Sequence, residues 1–367
     1  MSVIAVYYAY MSSSPLGIGL IGCGRVTEQL HLPALRHVPD ARVTAAADRD
    51  AGRLDMVTSR FGILRSYLDA DTLLADPDVD IVAVCVPVAQ HAEVAIAALD
   101  AGKHVLIEKP LSLTLDEADR LMAHDARSPG KATVGFNLRH HRLIRRVHAA
   151  LRDGALGTPA FVRSAFTSGI AHRQTLPDWR RRRATGGGVL FELGVHHFDL
   201  WRYLLDAEVE EVFVQSRTAE REDDMATVSA RLANGVLATG VFSQATADQN
   251  QLEFHGSNGR IVVSCYQFDG LRQYATADHL GGIRHLANQV MQPVRRLPAA
   301  LPNLRYGGDF MASYRSEWQA FIDCIRQDHS PPATLSDGRR ALQITLAALE
   351  SAATNRPVSL QAVPRDA

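Results

Sequence analysis

The sequence is short of the features that mark specialised protein classes. Four cysteines, Cys23, Cys85, Cys265 and Cys324, are scattered through 367 residues. They form no C-x-x-C pair, so neither a disulfide framework nor a zinc site follows. Lysine plus arginine (39) and aspartate plus glutamate (40) nearly cancel, leaving a net charge of −1 and no electrostatic footprint for nucleic acid. No apolar run approaches the roughly 20 residues needed to span a bilayer. The opening "MSVIAVYYAYMSSSP" has no basic n-region and no long h-region, so it is a poor signal peptide. It is expected to be a flexible extension, with Met11 as an alternative start. A cytoplasmic protein with no membrane or nucleic-acid partner is the expectation. There are no internal repeats or low-complexity tracts.

What is present is apolar mass: 46% of the residues are hydrophobic, enough for two packed domains. From Leu16 to about Phe136, short β-branched runs ("IGLI", "VTAAA", "DIVAVCV", "HVLI", "ATVGF") alternate with segments of helical apolar spacing such as "AGRLDMVTSRFG" and "AEVAIAALDAG". This alternation predicts an α/β, doubly wound parallel sheet covered on both faces. After about Arg139 hairpin signals appear instead, Asn234-Gly235 and Ser257-Asn258-Gly259 between alternating runs. They predict an α+β region with a large, mostly antiparallel open sheet, covered on one face by helices near 187–205, 313–326 and 338–354. The expected division is an extension at 1–15, a dinucleotide-binding Rossmann domain at 16–138, and a substrate-binding and oligomerisation domain at 139–367.

The stretch "GIGLIGCGRVT" (17–27) contains G-x-G-x-x-G twice, once in full at Gly17, Gly19 and Gly22, and once imperfectly from Gly22 to Thr27. Fingerprint glycines must follow the first strand, where they turn the chain and admit a pyrophosphate. Gly17 and Gly19 fall before or within that strand, so the imperfect match is the operative one, with Gly22 and Gly24 at the strand-to-helix junction. The next strand ends in Asp48, placed to accept from a ribose 2′-OH and to repel a 2′-phosphate; that favours NAD over NADP. Arg49 weakens the preference, because its guanidinium can pair with such a phosphate. Asp48 as a helix N-cap is the plainer alternative.

"VDIVAVCVPVAQHAEVAIAALDAGKHVLIEKPLSLTLDEA" and "GGGVLFELGVHHFDL" resemble the glucose–fructose oxidoreductase, inositol dehydrogenase and MocA (Gfo/Idh/MocA) family. The likeness runs from about Leu16 to Leu360, and Glu108-Lys109-Pro110 with Gly194-x-His196-x-x-Asp199 is its most specific part. The resemblance implies NAD(P)-dependent hydride transfer between nicotinamide and a secondary alcohol or ketone of a sugar, sugar derivative or cyclitol. It makes His196 the proton-transfer residue and sets Lys109 beside it to polarise the reacting oxygen. A histidine suits proton transfer at neutral pH, and Lys109 closes a parallel strand at its carboxyl end, where ligands bind. His197 is out of register and is taken as structural.

Glu192, His196 and Asp199 share one helix face. Glu192 stands where the family usually has aspartate, a substrate-hydroxyl ligand, and Asp199 supports either the histidine or the fold. No cysteine or second histidine completes a metal set, so no metal is expected. The carry-over gives cofactor contacts at Gly22, Gly24, Arg25, Val26, Asp48 and Arg49, with Val86, Pro87, His91, Glu108 and Lys109 on the nicotinamide side. Asn137 and Arg139 fall where relatives contact the nicotinamide region or substrate. "DWRRRR" (178–183) resembles the family's Trp-Arg pair near the pocket, and Arg180 is the residue expected to meet a carboxylate or phosphate on the substrate. At most two of these four arginines can face a ligand. Relatives commonly form homodimers or homotetramers through the open sheet face. Two other activities fit the resemblance: an NAD-retaining glycosidase or lyase working by transient oxidation, and a non-catalytic dinucleotide-binding protein.

Overall fold

The computed structural model describes residues 14–219, 221–276 and 282–361; most of the expected N-terminal extension lies outside them. Six strands, β1 (Leu16–Ile21), β2 (Ala41–Ala47), β3 (Arg65–Tyr67), β4 (Ile81–Val84), β5 (His104–Ile107) and β6 (Ala132–Val134), form an all-parallel sheet in the order β3-β2-β1-β4-β5-β6. Order reversal between β1 and β4 opens a crevice at the carboxyl ends of the strands, the usual ligand position in doubly wound sheets. Strands β1 and β4 are almost wholly buried, which is why they read as continuous apolar text rather than as alternation. Gly17 and Gly19 lie inside β1, and both are packing glycines. A Cβ on Gly17 would fall 1.8 Å from the Asp78 carbonyl oxygen, and one on Gly19 2.7 Å from Leu73 Cδ2.

The second sheet has eight strands: β7 (Pro159–Thr167), β8 (Val209–Arg217), β9 (Met225–Leu232), β10 (Leu237–Ser243), β11 (Gln249–Gly256), β12 (Gly259–Ser264), β13 (Gly270–Ala275) and β14 (Val358–Ser359). Their order is β13-β12-β11-β7-β10-β9-β8-β14, antiparallel throughout except for the parallel pair β7/β10. Both hairpin signals sit where expected, Asn234-Gly235 between β9 and β10 and Ser257-Asn258 between β11 and β12. The alternating burial of β9 and β10 marks a sheet with one covered face.

Two late helices cross back to the first sheet. Helix Asp309–Gln327 places Trp318, Phe321 and Ile322 in one core with Ile18 and Leu20 of β1. Helix Leu335–Thr354 lies against β6, where Val134 Cγ2 would be 2.8 Å from a Cβ on Gly338. Chain assigned by sequence to the second domain therefore finishes the first one. Helix Ile283–Leu304, unforeseen in the sequence, contains Pro293, Pro298 and Pro302. It turns polar groups inward: the Gln292 amide pairs with both backbone polar groups of Gln273 on edge strand β13, and Arg296 pairs with Asp269. Its apolar side chains Val290, Val294, Leu297 and Leu301 face outward. Among the described residues, no helix is long and apolar enough to cross a membrane.

Candidate functional site

The crevice at the carboxyl ends of β1, β2, β4 and β5 is a cavity of about 700 Å³. At its floor the chain leaves β1 through Gly22, whose φ is +97° and whose Cβ position lies 2.5 Å from the Cys85 carbonyl oxygen. Any side chain there would clash and strain the backbone. Gly24 differs: nothing lies within 4 Å of its Cβ position, so the loop presents bare backbone to the open crevice. The third fingerprint position, Thr27, is fully buried and returns its hydroxyl to the Gly22 carbonyl at 2.5 Å. A threonine thus ties the loop where glycine or alanine would only admit close packing.

Asp48 closes β2 at the cavity wall. Its Oδ2 accepts from the Cys23 backbone N–H (2.7 Å) and its Oδ1 from that of Asp50 (2.9 Å), which fixes the carboxylate's direction. The N-cap of the following helix is Asp50, not Asp48, since the Asp50 side chain accepts from Arg53 N. Arg49 reaches across the cavity mouth to Gln90 at 3.3 Å. The bare Gly24 backbone and the anchored Asp48 carboxylate fit a dinucleotide's pyrophosphate and ribose.

The opposite wall is Glu108-Lys109-Pro110, with a cis bond before Pro110. Glu108 is held from behind by His31, a residue the sequence reading did not single out. Trp318 Nε1 donates to His31 Nδ1 (3.0 Å), which leaves the proton on Nε2 to be donated to Glu108 Oε1 (2.9 Å). Burial would raise Glu108, but the His31 hydrogen bond and the Lys109 charge hold it below the usual carboxylate range. His91 bridges the two loops, with Nδ1 2.8 Å from the Pro110 carbonyl and Nε2 2.9 Å from that of Val86. It lines the cavity as a brace, with both ring nitrogens engaged.

Lys109 is half-buried in the cavity wall, and its removal from water lowers its ammonium to about 8, with Glu108 opposing the fall and the Arg180 charge adding to it. Its Nζ donates to the Glu192 carbonyl at 2.8 Å. That bond joins the first sheet's loop to the π-turn Leu190–Gly194, which feeds helix Val195–Leu205. On that helix His196 is buried, with Nδ1 unpartnered among the described residues. Burial, then the nearby Lys109 charge, then His197 push its basicity well below the usual histidine value. The ammonium and the imidazole therefore share one electrostatic environment. His197 instead hydrogen-bonds Asn250 at 3.1 Å inside the core. Glu192 forms an ion pair with Arg180 on the cavity wall, yet neither carboxylate oxygen receives a directed hydrogen bond.

Four expected site residues are not among those that line the cavity: His196, on the helix that follows Glu192, and Arg139, Asp199 and Asn137. Arg139 and Asp199 are committed to each other through two hydrogen bonds (2.8 and 2.5 Å), and Arg139 also holds Asp337 at 3.0 Å. The expectation that they bind substrate gives way to a structural role, because their donors and acceptors are already used. Asn137 is buried and donates to Ser313 Oγ at 2.9 Å, away from the nicotinamide side. Gly22, Gly24, Arg25, Val26, Asp48, Arg49, Val86, Pro87, His91, Glu108, Lys109, Arg180 and Glu192 all line the one cavity. The segment Gln174–Pro177 lines it too, without a motif to announce it. No group of three or more metal-ligating side chains occurs among the described residues.

A family model described as "Oxidoreductase family, NAD-binding Rossmann fold" matches residues 16–136, and one described as "GFO/IDH/MocA C-terminal domain" matches 144–262. The myo-inositol 2-dehydrogenase of Thermotoga maritima is 30% identical over 94% of this chain and 99% of its own. The 1,5-anhydro-D-fructose reductase of Ensifer adhaerens is 30% identical over 94% of this chain and 98% of its own. Among solved structures, a probable dehydrogenase from T. maritima superposes with TM-score 0.75 at 28% identity, covering 94% of this chain and 98% of that one. In fold alone, a levoglucosan dehydrogenase in complex with NADH and L-sorbose is similar, at TM-score 0.83 and 24% identity over 96% of this chain and 100% of that one. The chain belongs to the Gfo/Idh/MocA family of NAD-binding oxidoreductases.

Proposed function

We propose that the protein interconverts a secondary alcohol and a ketone on a sugar, sugar derivative or cyclitol, with NAD as the redox partner. The observation that carries this reading is the Lys109 Nζ to Glu192 carbonyl bond, which draws an ammonium from one sheet to the helix that bears His196. The bound dinucleotide supplies the hydride acceptor, or the donor in the reverse direction. Lys109 then exchanges its carbonyl partner for the substrate oxygen and polarises it. His196, neutral because burial and Lys109 disfavour its charge, takes the hydroxyl proton during oxidation and returns it during reduction. Glu192, with acceptor capacity to spare, orients a neighbouring substrate hydroxyl. Asp48 takes the ribose hydroxyls and sets the preference for NAD over NADP.

The named activities of the relatives, on myo-inositol and on 1,5-anhydro-D-fructose, support the polyol and sugar class. The test is to incubate the purified chain with NAD⁺ and a panel of inositols, aldoses and uronic acids and to follow the reduced-nicotinamide absorbance. Formation of NADH on at least one cyclic polyol or sugar is expected; none on the whole panel defeats the proposal. Four free thiols suit a reducing, cytoplasmic setting. Phe161 of β7 and Leu237 of β10 are exposed cross-strand neighbours, with Val241 further along β10. They support burial of the open sheet face in a homo-oligomer, which light scattering would test.

A further inference from the structure

Beside the main cavity lies a second one of about 360 Å³, and the two share Gln174, Thr175 and Leu176 as a common wall. Three arginines, Arg173, Arg181 and Arg221, line this annex, with no acidic side chain among its lining residues. Arg173 is neutralised, since its guanidinium forks onto Asp248 at 2.7 and 2.9 Å. The other two have no carboxylate partner among the described residues. Arg181 is exposed at the rim. Arg221 is only 8% exposed, its Nη2 donates to the Ala171 carbonyl at 3.3 Å, and its Nη1 is buried without any partner.

A guanidinium removed from water without a counter-charge is strongly disfavoured. Among the described residues, the neighbouring carboxylates are engaged elsewhere: Glu192 with Arg180, Glu222 with the Arg183 backbone N–H, Asp223 with the Arg183 guanidinium, and Asp224 with Arg217 and the Ala219 backbone N–H. The excess positive charge is felt across the site. Arg180 falls to about 10 because it is buried, and because Arg25 and Arg221 repel it. The run of four arginines thus divides its tasks, with Arg180 in the main cavity, Arg181 in the annex and Arg183 tied to the fold.

We propose that the annex binds the anionic substituent, a phosphate or a carboxylate, of the sugar whose carbinol carbon is presented to Lys109. Arg221 supplies a buried, pre-aimed N–H, Arg181 closes over the anion from the rim, and the Thr175 and Gln174 side chains complete the shell. The inference rests on the reading of the main cavity as the redox site. It moves the anion-recognising residue from Arg180, which Glu192 occupies, to Arg221.

The test is calorimetric titration of the full chain saturated with NAD⁺, using D-glucose 6-phosphate, D-glucuronate and D-glucose in parallel. At least one charged sugar is expected to bind about tenfold or more tightly than D-glucose, the scale of a charge-assisted hydrogen bond. Which charged sugar gains distinguishes phosphate from carboxylate recognition. Arg221→Gln is expected to remove the preference. Arg181→Gln, a rim change that leaves the core untouched, is expected to reduce it several-fold and keeps the test open if the buried substitution misfolds. Equal affinity for all three sugars, absence of binding by all three, or a preference unchanged in both variants overturns the proposal. Preference for a charged sugar without NADH formation on any substrate would retain the annex and remove the redox reading. Turnover of neutral polyols with no charge preference would do the reverse.

Discussion

Glu192 and Asp199 leave the same helical stretch, and each meets an arginine from another element. Asp199 is 1% exposed and takes two hydrogen bonds from Arg139, while Asp337 holds a further nitrogen of that guanidinium. Glu192 meets Arg180 on the wall of the main cavity, where burial and neighbouring cations pull Arg180 down to about 10. The residue types are the same and the consequences differ. A fully satisfied pair has nothing left to offer a ligand and serves the fold. A pair with unfilled acceptors beside a cavity is poised to exchange partners. Helical spacing puts both carboxylates on one face, but only the partner from the other element decides which remains available.

The largest expected effect concerns Lys109, which lines the cavity and bonds the Glu192 carbonyl. Replacing Lys109 with Met is expected to lower kcat/KM by about a thousandfold, the scale for losing a preorganised charged donor to a developing oxyanion; His196→Ala is expected to cost at least a hundredfold. Both are read from initial rates of NADH formation, and a loss below tenfold in either would remove that residue from the chemistry.

Next comes the comparison itself. Asp199→Ala breaks a buried ion pair and is expected to destabilise the protein by about 3–5 kcal/mol in chemical denaturation. Arg180→Ala removes the partner of a carboxylate that lines the cavity and is expected to cost less stability than Asp199→Ala while raising KM about tenfold. If Asp199→Ala were silent in stability and selective for KM, the assignment of the two pairs would be reversed.

Smaller effects lie in the pH profile. Lys109 titrates near 8, and polarisation needs its ammonium form, so kcat/KM for oxidation is expected to fall as pH rises through about 8. His196 is held well below its usual value and is already neutral at pH 6, so no rising limb is expected between pH 6 and 7. The smallest expected effect is that of His31→Leu. Glu108 raises Lys109 and is itself kept ionised by His31, so this variant is expected to move the falling limb to lower pH. An unmoved limb would leave His31 with a packing role alone.

Much of the fold is legible in the sequence because buried parallel strands and turn dipeptides are local signals. "DIVAVCV" and Asn234-Gly235 need no distant partner to be recognised. Strand β3 is missed because "RSY" is short, largely exposed and apolar in only one position. Helix Ile283–Leu304 is missed because its three prolines speak against a helix and its polar side faces inward. At the site, the residues inside motifs are legible, since Gly22, Asp48 and Lys109 end strands at the crevice. Their supports are not. His31 meets Glu108, and Arg139 meets Asp199, across long stretches of chain, and no spacing rule connects such pairs. Of the cationic annex only Arg181 belongs to the run of arginines visible in the sequence; Arg173 and Arg221 come from other segments without a motif, and pairing with Asp248 decides that Arg173 is neutralised.

The most direct test of the central claim compares NADH formation by the wild-type chain with that of Lys109→Met and His196→Ala, on whichever polyol or sugar the wild type oxidises, with NAD⁺ affinity measured in parallel by fluorescence titration. The account predicts that both variants bind NAD⁺ within a few-fold of wild type and turn over at less than a hundredth of its rate. Variants that bind NAD⁺ normally and still oxidise the substrate at near wild-type rates would contradict it.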